Sequence, residues 1–488
     1  MFGGGWVSDP EKRTVASRSA RGGLLTGVAA VWGVQVMGML LQLVYAGVTA
    51  RTFPAAVFGA YAAAMSTIAI AALFAVSGAT KASARSLDED PHRGRALISA
   101  SLLIATALML VVMLLAGPIA MLWGVPQSAS MIRWLAFTLP VSAYAGVLLG
   151  VLRRRRRITA YNLVTATATV TGIVVGVMAV QSGAAVSLVV MPITVQVVSL
   201  VLGVALLQGQ AMPALRVSGA RREVVFSLRS STNSALTYVA TTVPLVVLAR
   251  SVGPSALGSW NRATSLTQVP VESATSAWTT IFFSVMRGER EGSRQRNLLW
   301  SDMVVASAFV VLPTAGAFLP AVPAAVSLIL GPGWSLSGQM AAWLWVSACI
   351  VAVNVVLFTA LEATDNFPVL WTVQAWRIAA LAAAALGVAL TGNWLWLGVG
   401  MVASALLGLL VTLITAARRD LLQGRRVGRL LTTAFVLALA LCLPGLLIAG
   451  SGRVITLTAC ALIVVAYLGC LYAARRRLPA LDRLLARD

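Results

Sequence analysis

Apolar runs of about 18 or more residues recur along this 488-residue chain, and each is long enough to cross the hydrocarbon core of a bilayer. Unpaired backbone groups are too costly in lipid for open strands, and the period-two alternation of a membrane barrel is absent. The runs are therefore read as helices. With 59% hydrophobic and 11% charged residues, and a mean hydropathy of +0.88, a water-soluble core could not hide the apolar surface. The expected fold class is an all-α integral membrane protein.

Apolar runs and their breaks place fourteen spans near 23–50, 57–80, 97–121, 131–152, 159–181, 185–207, 230–249, 256–285, 299–322, 339–361, 368–391, 395–417, 430–449 and 454–474. The first follows a basic tail (residues 1–22) and is read as a retained span, being longer than a leader core. With the N-terminus inside, all but six of the 37 basic residues fall on the cytoplasmic side, including Arg153 to Arg157 and the linker 208–229. Removing one span would invert every later loop and destroy this asymmetry. The expected topology has both termini cytoplasmic, the basic tail 475–488 included. The net charge of +22 is assigned to orientation and to anionic lipid headgroups, with no nucleic-acid partner.

An internal repeat divides the chain. The segments ARTFPAAVFGAYAAA (50–64) and ARSVGPSALGSWNRA (249–263) share Arg51/Arg250, Gly59/Gly258 and an aromatic at Tyr61/Trp260. Each occupies the outer turn between the first and second spans of a six-span unit, and both units start inside. That makes them parallel repeats, 23–207 and 230–417, with an additional helix pair at 430–474.

The turn at 51–61, the stretch LLGVLRRRRRITAYN (148–162) and the turn LILGPGW (328–334) resemble bacterial polysaccharide biosynthesis transporters. These are the O-antigen and exopolysaccharide flippases of the multidrug/oligosaccharidyl-lipid/polysaccharide exporter superfamily. The resemblance implies two six-helix bundles forming a V around a central cavity. It also implies alternating access that moves a lipid-linked, polyprenyl-pyrophosphate oligosaccharide across the bacterial inner membrane, with a glycan polymerase or export machinery as protein partners.

Such cargo needs a polar path with cations for phosphate. Polar residues recur on single faces of four spans: Gln35, Gln42 and Thr49; Asn162, Thr165 and Thr169; Ser230, Asn233, Thr237 and Thr241; and Asn261, Ser265, Gln268, Glu272 and Thr279. Pro270 is expected to kink the last of these. Arg262 and Arg377 fall inside spans, where a charge costs about 2.5–3.5 kcal/mol on insertion scales. Arg51, Arg250, Arg262, Arg377, Asn261, Gln268, Gln35 and Gln42 are the candidate substrate contacts. Glu272 is a candidate proton or sodium site, or an ion-pair partner for one of the arginines.

Other chemistry lacks its residues. There are two lysines, Lys12 and Lys81, and no phosphate-binding loop, so ATP hydrolysis within the chain is not expected. The sole histidine, His92, has no triad, and Asp88-Glu89-Asp90 reads as a solvated loop. Cys349, Cys442, Cys460 and Cys470 read as small apolar residues, and neither metal nor cofactor is expected. A drug or cation antiporter, a lipid II flippase and a membrane glycosyltransferase or polymerase are the competing functions.

Overall fold

The computed structural model describes residues 33, 37–77, 91–155, 157–207, 238–239, 241–286, 294–363 and 367–474. Every regular element among them is helical. The first half comprises α1 (37–52), α2 (Ala55–Ala72, continuing as a π-helical turn Leu73–Ser77), α3 (Pro91–Leu114) and the short α4 (Ala116–Leu122). It continues with α5 (Ser128–Ala136), α6 (Thr138–Arg154), α7 (Ile158–Val180) and α8 (Val190–Leu207). The second half comprises α9 (Thr241–Ser251), α10 (Pro254–Met286), α11 (Arg294–Phe318), the short α12 (Val322–Leu330), α13 (Ser335–Ala363), α14 (Phe367–Thr391) and α15 (Leu395–Arg418). The final pair is α16 (Gly424–Ile448) and α17 (Arg453–Ala473).

Eleven helical stretches among the described residues are long and apolar enough to cross a membrane, and the protein is multi-pass. Large apolar side chains point outward along them, among them Leu114, Leu390, Leu439 and Leu447, as lipid-facing surfaces require. Two features depart from simple spans. The fourth is broken at Phe137 into α5 and α6. The expected ninth span runs on past 322, through a 3₁₀ turn, into α12. The third helix of each half thus ends in a short extra helix, α4 or α12, which then turns at a left-handed glycine, Gly124 or Gly331.

The left-handed glycines Gly124, Gly183, Gly253, Gly331, Gly392 and Gly452 all lie in alternate turns, those read from the sequence as outer. Only a residue without Cβ adopts such φ values freely, which lets the chain reverse within a few residues. These turns define one face of the molecule, called here the turn face. The opposite, basic face carries Arg153, Arg155, Arg418 and Arg419.

The repeat is expressed as a reciprocal contact at the turn face. A Cβ on Gly59 of α2 would lie 2.0 Å from the carbonyl oxygen of Pro254, and one on Gly258 of α10 would lie 1.8 Å from that of Ala55. Residues 55 and 59 correspond to 254 and 258 in the repeat, so each glycine meets the counterpart of its sister's partner. Such reciprocity is the mark of a two-fold-like axis through the α2–α10 crossing. The arginines repeat the pattern: the Arg250 stem packs on the Gly124 turn and the Arg51 stem on the Gly331 turn. Each half therefore places its arginine against the third-to-fourth-helix turn of the other.

Around this axis an apolar cluster joins both halves, with Ala50, Phe53, Phe58, Leu248, Trp260, Leu330, Trp334 and Leu344 among its members. Trp334 Nε1 donates to the Ala50 carbonyl at 3.0 Å, its ring meets Phe58 edge-on at 5.3 Å, and Ser337 Oγ donates to the Ser259 carbonyl at 3.0 Å. Lipid gives no hydrophobic drive between helices, so close packing and these polar ties hold the turn face shut.

The pair α16–α17 is peripheral but anchored. The Arg426 guanidinium meets the fully buried Asp302 of α11 at 2.9 Å, the Gln423 amide donates to Ser301 Oγ at 2.9 Å, and Tyr467 Oη donates to the Phe309 carbonyl at 2.7 Å.

Candidate functional site

Helix α10 carries the strongest polar stripe in the sequence, and it separates two cavities. The smaller, about 280 Å³, is lined by Gln42 and Tyr45 of α1, Tyr61 and Met65 of α2, Met191 of α8, and Asn261, Arg262, Ser265 and Pro270 of α10. The larger, about 640 Å³, lies among α9, α10, α13, α14 and α15. Its polar lining is Thr241, Thr242, Thr264, Gln268, Glu272, Thr275, Ser347, Arg377 and Ser404, with Tyr238 and Trp260.

The stripe on α10 is divided between the two: Asn261 and Ser265 face the smaller cavity, Gln268 and Glu272 the larger. On a helix turning about 100° per residue these four fall within about 60° of one another, along the ridge between two concave faces. Thr279 and its surroundings lie outside the described side chains. Pro270 sits inside a continuous α10, its ring toward the smaller cavity.

Arg262 is 5% exposed, and its guanidinium carbon lies 3.8 Å over the Phe58 ring. Its Nε has no hydrogen-bond partner among the described residues. The aromatic face supplies part of the stabilisation that water would otherwise give. Arg377 lies near the middle of α14 and lines the larger cavity. A Cβ on Gly408 of α15 would stand 3.0 Å from its Cδ and 3.2 Å from Asn354 Nδ2, so the absence of that Cβ gives the arginine its passage. Arg377 Nε and Asn354 Oδ1 are both buried without a partner among the described residues. The guanidinium thus keeps a buried donor unpartnered among the described residues, beside the larger cavity.

Glu272 lines the same cavity and makes no ion pair with Arg262 or Arg377 among the described residues. Arg51 and Arg250 stand at the turn face, away from both cavities. Gln42 reaches the smaller cavity, whereas Gln35 lies outside the described residues, as do Ser230, Asn233 and Thr237.

Three threonines from two of the expected stripes, Thr49, Thr165 and Thr169, line neither cavity. Thr49 is fully buried and donates to the carbonyl of Tyr45, and Thr165 and Thr169 donate to those of Tyr161 and Thr165. Hydroxyls in an apolar helix can satisfy themselves on the preceding turn, and these do. Sequence reasoning missed Asn354 and Gly408, the companions of Arg377. An asparagine within the run Ile350–Leu357 was a legible signal; the glycine was not.

Two cavities flanking a central helix, an arginine in the lining of each and a two-fold-like turn face define a class. The architecture matches the lipid II flippase MurJ in an inward closed conformation with a TM-score of 0.71 at 12% identity, covering 91% of this chain and 99% of that one. It matches an inward-facing multidrug resistance transporter of the MATE family with a TM-score of 0.59 at 16% identity, covering 80% and 98%. A transporter of the same superfamily from Pyrococcus furiosus gives 0.51 at 15% identity, covering 80% and 95%. The fold is thus that of the membrane transporters of the MOP superfamily. Within it, residues 48–339 match the profile of the polysaccharide biosynthesis protein family, and the chain belongs to that family. No curated protein sequence matches the chain significantly.

Proposed function

We propose that this protein is a flippase that carries a lipid-linked oligosaccharide or polysaccharide precursor across the bacterial inner membrane by alternating access. The observation that carries the proposal is Arg377: a mid-helix guanidinium with an unpartnered Nε, facing a cavity of about 640 Å³ with Gln268 and Glu272 on the opposite wall. Phosphate recognition favours the planar, permanently charged arginine, and the threonines, serines and glutamine beside it suit sugar hydroxyls. The lipid tail stays in the bilayer while the head traverses the polar lining. Arg262, Asn261 and Gln42 extend that lining on the other side of α10. Glu272 is the group through which a proton or sodium ion would couple.

In this reading the chain has fourteen spans, as two six-helix units and a final pair. The turn face looks outward, and both termini and the linker 208–229 are cytoplasmic. The closed α2–α10 crossing then belongs to a state sealed on the outside. A glycan polymerase or export complex would receive the product.

A second reading is lipid II as cargo, favoured by the similarity to a lipid II flippase across 91% of this chain. One experiment addresses both. Loss of the protein should leave a glycan-bearing polyprenyl pyrophosphate on the inner leaflet, and wild type should clear it while Arg377→Ala, at equal membrane abundance, should not. If the accumulating lipid carries peptidoglycan precursor, the second reading holds. If no lipid-linked precursor accumulates, or Arg377→Ala clears it normally, the proposal is wrong.

A further inference from the structure

A third concavity opens on the turn face, apart from both cavities beside α10. It has a volume of about 750 Å³, and its walls come from three parts of the chain: residues 50–55 around Arg51, residues 327–334 around Gly331, and Arg453 at the start of α17. Arg51 Nη2 makes a long contact, 3.5 Å, with the Leu328 carbonyl, which leaves most of its donors unused. Arg51 and Arg453 are both exposed, and no acidic residue lines the concavity. Beside them the chain runs Gly331-Pro332-Gly333, and a Cβ on Gly333 would meet nothing within 4 Å, so the backbone there is open to a ligand.

The repeat sharpens the point. Arg250 packs on the Gly124 turn as Arg51 packs on the Gly331 turn, so the two places are counterparts. The second has received another arginine, Arg453, from the helix pair that lies outside the repeat. Two guanidinium groups in one concavity with no carboxylate repel until an anion joins them.

We infer that this concavity binds a phosphate-bearing anion, held by Arg51 and Arg453. Two planar forks lining one concavity suit a phosphate or pyrophosphate group better than a single carboxylate. Because its walls belong to both halves and to α17, the bound anion also ties the turn face shut: it binds the closed arrangement better than one in which the halves have parted. The inference rests on the proposed orientation, in which this face meets the outer leaflet. There the phosphate has two sources, the head of a phospholipid or the pyrophosphate head of a translocated glycan lipid.

The test uses the full chain in phosphatidylcholine nanodiscs, with thermal unfolding as readout. Inorganic pyrophosphate should raise the unfolding temperature saturably. Arg51→Gln or Arg453→Gln should each weaken its apparent affinity about tenfold, the loss of one charge-assisted contact. Arg453→Lys should weaken it less, and Arg418→Gln, on the basic face and outside every cavity described, should leave it unchanged. Replacing a third of the lipid by phosphatidylglycerol separates the sources. A shift abolished by Arg51→Gln/Arg453→Gln assigns the site to phospholipid heads, and a response to pyrophosphate alone assigns it to the glycan lipid. No response to either anion, or the same response in the double variant, overturns the site. A response lost in Arg377→Gln yet kept in the double variant overturns it too, while leaving the proposed function standing.

Discussion

The reciprocal glycines at the α2–α10 crossing offer the sharpest perturbation. A Cβ at Gly258 would stand 1.8 Å from the Ala55 carbonyl oxygen and 2.8 Å from the Gly59 amide nitrogen, against ordinary contacts that begin at 3.4 Å. Both obstacles are backbone, so no side chain can swing away, and α2 and α10 must part by about 1.6 Å in a close-packed interface. Overpacking of this kind costs about 1–3 kcal/mol. Since the cost falls only on the arrangement with the turn face closed, Gly258→Ala should shift the closed-to-open ratio by about five- to 150-fold. Gly59→Ala, with its Cβ 2.0 Å from the Pro254 oxygen, should do the same, and the pair should be non-additive because one crossing is affected. Spin labels at Thr52→Cys and Ser255→Cys, both exposed positions, report the separation once the exposed Cys470 is replaced by serine. The distance distribution should move to longer values in both glycine variants. Gly469→Ala, where a Cβ meets nothing within 4 Å, should leave it unchanged. An unaltered distribution in folded Gly258→Ala protein would refute the idea that this crossing is the closed seal.

Two further perturbations probe other layers. Gly408→Ala should crowd Arg377 and Asn354, whose atoms would lie 3.0 and 3.2 Å from the new methyl, and lower precursor export several-fold at unchanged abundance; unchanged export would mean the arginine has room the packing does not suggest. Arg426→Gln should remove a charged partner of the fully buried Asp302 and destabilise the α11–α16 contact by about 1–3 kcal/mol, less than a fully buried pair because Arg426 is 29% exposed. Thermal unfolding in detergent reads that loss, and a variant as stable as wild type would show the pair to be incidental.

Apolar run length by itself determined that this chain is helical and membrane-embedded, because the bilayer leaves the backbone few alternatives. Two arginines inside runs, Arg262 and Arg377, announced a polar interior, since the cost of a charge in lipid is large whatever the packing. The repeat was legible too, through Arg51/Arg250 and Gly59/Gly258, but only as similarity. Tertiary structure decided that these glycines meet each other's partners, which needs two helices 199 residues apart to cross. It also decided that the α10 stripe is a ridge between two cavities and that Thr49, Thr165 and Thr169 bond to their own helices. One-dimensional period cannot distinguish a hydroxyl facing a cavity from one facing the preceding carbonyl. Nor could it foresee that Arg453, one of the six basic residues off the basic face, would join Arg51: which turns meet across the turn face depends on how the halves and the final pair pack, and packing is a property of the whole chain.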